Sequence, residues 1–152
     1  MARREIAPQV LLGALPLFKA LDEATLVRLA AATTTRRLVR GERLFRKGDA
    51  ASAMYVVVHG EIRLVARSPV RGERLTGVVG PGRSFGEPVM FLERPAVVDA
   101  EAVTDALVLQ LPKEAVFAEI HAYHPETVGY AMQKRVWIVS PTTLMAVLNT
   151  AR

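Results

Sequence analysis

The feature that most limits the fold is a run of punctuation. From Thr34 to Pro112, short stretches rich in β-branched residues are cut repeatedly by glycine or proline. The segments RRLVR, RLF, AMYVVVHG, EIRLVARS, RLTGVVG, AVVDAEAV and ALVLQLP read as seven strands or more. Nothing between them is long enough for the helical crossover that a parallel pair requires. The strands are therefore expected to be antiparallel and to form a sandwich or barrel. SPVRGERL is expected to be a hairpin turn, with Pro69 supplying the restricted backbone position and Gly72 the permissive one.

The hydrophobic period changes on both sides of this run. PLFKALDEATLVRLAA, residues 16–31, spaces Leu17, Leu21, Leu26 and Leu29 along one helical face, and Asp22 suits an N-cap. One or two short helices are expected to lead the chain. From Lys113 the pattern predicts a helix to about Tyr123, a break at Pro125 and a second helix to about Val139. Ser140 and Pro141 then suit an N-cap and a first helical position. A length of 152 residues supports one ordinary core. The expected organisation is one mainly β domain with flanking helices: N-terminal helices over 1–33, a β roll over 34–112 and C-terminal helices over 113–152. Val128, Met132, Val136 and Val139 recur at near-heptad spacing, so a homodimer through the C-terminal helices is expected.

Composition removes several chemistries. With no cysteine, the chain has no disulfide, no cysteine-ligated cluster and no thiol nucleophile. The three histidines are His59, before the corner residue Gly60, and His121 and His124 in the helical tail. That placement does not suit the metal cluster of a cupin-type oxygenase, the enzyme class a β roll most readily suggests. No catalytic triad or carboxylate pair is evident from spacing, so no catalytic or metal-ligating residue is expected and the chain is read as no enzyme. The net charge is +5, yet Arg36, Arg37, Arg40, Arg43, Arg46 and Lys47 lie among strand-like residues without interleaved aromatics, the pattern of a solvated face. The opening MARREIAPQVLLGALPLF imitates a signal peptide, but Glu5 and Pro16 interrupt it; a cytoplasmic protein without a membrane span is expected.

Three strings now stand in order: PLFKALDEATLVRLA, RLVRGERLFRKGDAASAMYVVVHGEIRLV and GRSFGEPVMFLERPAVVDAEAVTDALVLQLPKEAVFAEI. Together, over roughly residues 15–120, they resemble the cyclic-nucleotide-binding domain family. That family includes the sensory domains of catabolite-activator-type regulators, kinase regulatory subunits and nucleotide-gated channels. The resemblance implies an antiparallel jelly roll, a regulatory role, C-terminal helices that act as lid and dimer contact, and cyclic AMP or cyclic GMP as ligand, without a cofactor.

The same resemblance assigns residues. The segment around Phe85, Gly86, Glu87, Pro88 and Val89 would hold the ribose phosphate: Gly86 would allow close backbone approach and Glu87 would accept from the ribose 2′-hydroxyl. Pro88 suits a first helical position but removes one donor. The family pattern Pro-Arg-small-small-Thr-Val stands here as PAVVDA, so the phosphate-binding arginine falls on Ala96, its small neighbour on Val97 and the threonine on Asp99. A cation is lost and a carboxylate gained, with Arg94 the alternative cation. Tyr130 and Trp137 would either stack on a purine base or pack their own helix. The expectation is a regulatory domain that binds cyclic nucleotide weakly or not at all. The alternatives are a functional cyclic AMP or cyclic GMP regulator using Arg94, or the N-terminal sensory part of a transcription regulator. The chain ends at Arg152 without room for a helix-turn-helix, so it is expected to act through an effector protein and not on DNA directly.

Overall fold

The computed structural model describes residues 7–123, and their side chains as far as Glu119. A helix α1 (Pro8–Gly13), a single 3-10 turn (Pro16–Phe18) and a helix α2 (Glu23–Ala32) lead the chain. The leucines of residues 16–31 therefore serve a turn and a helix, which meet at Asp22, whose side chain accepts from Thr25 N at 2.8 Å and caps α2.

Strands β1 (Thr34–Leu38), β2 (Arg43–Phe45), β3 (Ala53–His59), β4 (Ile62–Ser68), β5 (Gly72–Val79) and β6 (Ser84–Phe85) precede a short helix α3 (Glu87–Phe91). Strands β7 (Asp99–Ala102) and β8 (Ala106–Pro112) then lead directly into α4 (Lys113–Tyr123). All pairings are antiparallel and form two sheets, β1-β8-β3-β6 and β2-β7-β4-β5. This is the expected jelly roll, bounded at Thr34 and Pro112 as its change of period implied. The two-residue β6 adds the strand that the sequence reading did not separate. The expected hairpin turn joins β4 to β5, with Gly72 at φ 72° and Ser68 Oγ accepting from the N–H groups of Val70 and Arg71.

Strand alternation gives the first sheet two apolar faces. Tyr55, Val57 and Val108 point toward the second sheet and meet Ile62, Leu64 and Ala100. Met54, Val56, Leu109 and Leu111 point the other way, onto Leu12, Phe18 and Leu29 of the leading helices and Val116 of α4. The helices thus close a second core instead of decorating the roll. Arg28 of α2 and Glu119 of α4 form an ion pair, and Phe91 stacks on Phe117 with centroids 5.5 Å apart, so the leading helices and α3 both touch α4. Among the described residues no helix is long and apolar enough to cross a membrane. The expected second tail helix, its Val128–Val139 seam, and Tyr130, Trp137 and His124 lie outside the described residues.

Candidate functional site

The site is built at the mouth of the space between the sheets, where β6 ends and α3 begins. Gly86 is the N-cap of α3 at φ 90°, a left-handed conformation that glycine adopts at little cost. A Cβ there would stand 3.5 Å from Ala53 O and from Tyr55 Cδ2, so the turn lies close against β3. Behind it Phe85, fully buried, stacks on Tyr55 with centroids 5.2 Å apart, and Phe45 tilts toward Tyr55 at 5.8 Å.

Over these rings opens a cleft of about 260 Å³, its mouth included. Phe45, Tyr55 and residues 50–53 form one wall, Gly86 and Val89 the other, and Ala96 closes it. Ala96 is held there from both sides, its N–H donating to Asp49 O and its carbonyl accepting from Gly48 N, each at 2.8 Å. The expected cradle residue Gly86, the helical Val89 and the substituted position Ala96 are thus brought together. No lining side chain carries a full charge.

Glu87 is 1% exposed. Its Oε2 accepts from Ser84 Oγ at 2.7 Å, while Oε1 has no hydrogen-bond partner. Burial pushes its carboxyl up to about 7, against the pull of the Ser84 hydroxyl. Pro88 is buried beside it at the first turn of α3.

Of the expected site residues, Phe85, Glu87 and Pro88 lie beside the cleft without lining it, and Asp99, Val97 and Arg94 stand elsewhere. Asp99 does not face the cleft: Ala100 and Ala102 take the inner face of β7, so strand alternation turns Asp99 and Glu101 to the outer face. There Lys47 N donates to Asp99 Oδ1 at 2.7 Å, and Arg67 pairs with Oδ2. Glu101 lies among Arg43, Arg63 and Arg67. Burial opposes ionisation of both carboxyls, yet these partners hold both below the ordinary carboxylate range. Val97 is 38% exposed and off the lining. Arg94 is exposed and also off the lining, its backbone N–H bonded to Val89 O at 2.9 Å.

Residue reasoning missed Phe45, Tyr55 and Ser84. The signal for Tyr55 was present, since it alternates with the inward Ala53 and Val57. Phe45 had none, because a register shift between Arg43 and Phe45 brings both Leu44 and Phe45 onto the inner core. Among the described residues no group of three or more His, Asp or Glu side chains is arranged to hold a metal ion.

A two-sheet roll with a helix-start turn at the mouth of its inner core defines a small-ligand regulatory domain. The chain belongs to the cyclic nucleotide-binding domain family, whose model matches residues 35–123. It is 32% identical over 123 residues to Glutaminase 2 of Bradyrhizobium diazoefficiens, covering 81% of this chain and 19% of that protein. To the Cyclic AMP receptor protein of Thermus thermophilus it is 36% identical over 106 residues, 69% of this chain and 49% of the receptor. The sensor domain of the transcriptional regulator DNR from Pseudomonas aeruginosa superposes with a TM-score of 0.75 at 26% identity, covering 84% of this chain and 85% of that domain. The chain spans less than half the length of these two curated relatives.

Proposed function

We propose that this chain is the ligand-sensing part of a cytoplasmic regulator, and that its cleft binds cyclic nucleotides weakly or not at all. The observation that carries the reading is Ala96: buried, lining the cleft and fixed by two backbone hydrogen bonds. A phosphodiester entering this space loses hydration and meets no guanidinium in return. Backbone N–H groups of the first turn of α3 replace part of that hydration, and Pro88 has none to give.

The relatives support a module that reports to something else. One is named a glutaminase and one a receptor for cyclic AMP, and in each the matched region is a fraction of the whole. The chain itself performs no catalysis in this reading and works through an effector, with a second copy paired through the tail. Isothermal titration with cyclic AMP and cyclic GMP tests the central claim. Millimolar affinity or no heat is expected, and micromolar or tighter binding of either overturns it.

A further inference from the structure

Strand β1 stands at the end of its sheet, away from the cleft turn, and carries two adjacent arginines. We infer that its free edge is a docking site for an extended acidic segment of a partner protein, one with two consecutive carboxylates flanked by β-branched residues. Such an edge gives the proposed effector a place to bind, whatever the cleft holds.

The pairing leaves the edge open. Among the described residues β1 pairs with β8 alone, from Thr34 opposite Gln110 to Leu38 opposite Ala106, so its other side presents unpaired N–H and C=O groups. Thr34, Thr35, Arg36 and Arg37 are all exposed. An added strand would complete the ladder there and draw its affinity from main-chain hydrogen bonds.

Charge decides which strand. Between Thr34 and Lys47 stand six cations, Arg36, Arg37, Arg40, Arg43, Arg46 and Lys47, against one carboxylate, Glu42. Arg43 is paired with Glu101, whereas the other five side chains make no hydrogen bond or ion pair among the described residues. The carboxylates at this corner are turned to the backbone: Glu42 Oε1 accepts from Val39 N at 3.1 Å and Asp105 Oδ1 from Arg40 N at 2.8 Å. Like charges set opposite each other across a ladder repel. The edge therefore refuses β1 of a second copy, which would bring arginine against arginine, and admits an acidic strand.

Register decides the spacing. Arg36 lies opposite Val108 and Arg37 opposite Leu107, so the two arginines stand on opposite faces of the sheet. A strand laid along β1 places one residue beside each, and those two residues are neighbours in its own sequence. Thr34 and Thr35 continue the edge and favour β-branched partners.

The test is fluorescence anisotropy of the whole chain with a labelled peptide, Thr-Val-Glu-Glu-Thr-Val, at low ionic strength, where exposed charges are least screened. It should bind about tenfold more tightly than its Lys-Lys counterpart, and about tenfold more tightly than the same peptide N-methylated on both glutamates, which keeps the charge and blocks both edges of the strand. Arg36→Glu together with Arg37→Glu should reverse the preference toward the Lys-Lys peptide, with the circular dichroism spectrum unchanged. Equal binding of the N-methylated peptide to the parent chain would show that no ladder forms, a result that needs no variant to fold. A double variant that keeps the parent's preference would place the site elsewhere. A thymidine oligonucleotide of the same length binding as tightly as the acidic peptide would make the edge a general polyanion surface, and the inference would fall.

Discussion

Ser84 donates its hydroxyl to Glu87 Oε2 at 2.7 Å, while the other oxygen of that carboxylate stands buried with no hydrogen-bond partner. One hydrogen bond does not offset the desolvation of a carboxylate, so the protonated form is favoured in the fold.

The sign of the pH dependence follows. The folded carboxyl titrates at about 7 against 4.5 in the unfolded chain, so its contribution is fully present below 4.5 and is lost as pH rises through 7. Glu87→Gln keeps the Ser84 contact without the charge. Urea unfolding should show little difference from the parent at pH 5 and a gain growing to roughly 2–3 kcal/mol by pH 8. A constant difference across that range would mean that Glu87 does not titrate there.

Restoring the cation at the closed end of the cleft should restore the anion. Ala96→Arg is expected to raise cyclic AMP affinity at least tenfold, since a charge-assisted hydrogen bond contributes roughly 1.5–3 kcal/mol. Calorimetric titration of the variant and parent side by side reads this directly. Arg94→Ala should change neither protein, because Arg94 is exposed and off the lining.

Asp99 should matter to the fold and not to the ligand. Asp99→Asn retains an acceptor for Lys47 N but loses the charge pair with Arg67, a side chain 31% exposed. Thermal or urea unfolding should show a loss of about 1–2 kcal/mol at pH 7, with cyclic AMP titrations of the Ala96→Arg background unaltered. Because the folded carboxyl titrates below its ordinary value of 3.8, that loss should vanish as the medium is acidified through the folded value.

Gly60 is the corner least open to substitution. At φ 82° it would bring a Cβ within 2.4 Å of Asp105 O and 2.8 Å of Ala106 Cα, both backbone atoms that cannot swing aside. Gly60→Ala should cost at least about 2 kcal/mol in urea unfolding, more than the left-handed conformation alone explains.

The residue pattern settled the outer limits of the roll, the antiparallel pairing, the Asp22 cap and the turn at Gly72, because each depends on local chemistry. Period-2 alternation needs only a sheet to face, and a carboxylate three residues before a free N–H needs only a helix to start. Register with a known family also assigned Gly86, Glu87 and Ala96 to one site, and of these Gly86 and Ala96 line the cleft. Tyr130, Trp137 and the proposed dimer seam lie beyond the described residues.

What the chain alone did not determine is which way a marked residue turns. Asp99 was legible as a departure from the family pattern, yet its direction depended on β7 pairing with β4, where Val65 faces Asp99 and Leu64 faces Ala100. A shift of one residue would have put that carboxylate in the cleft. Phe45 reaches the inner core only because the β2–β7 ladder slips between Arg43 and Phe45, and Glu87 is buried only because α3 packs against β3. Sequence spacing determines which residues share a strand or a turn. Register and packing decide which of them share a cleft and which are left without water.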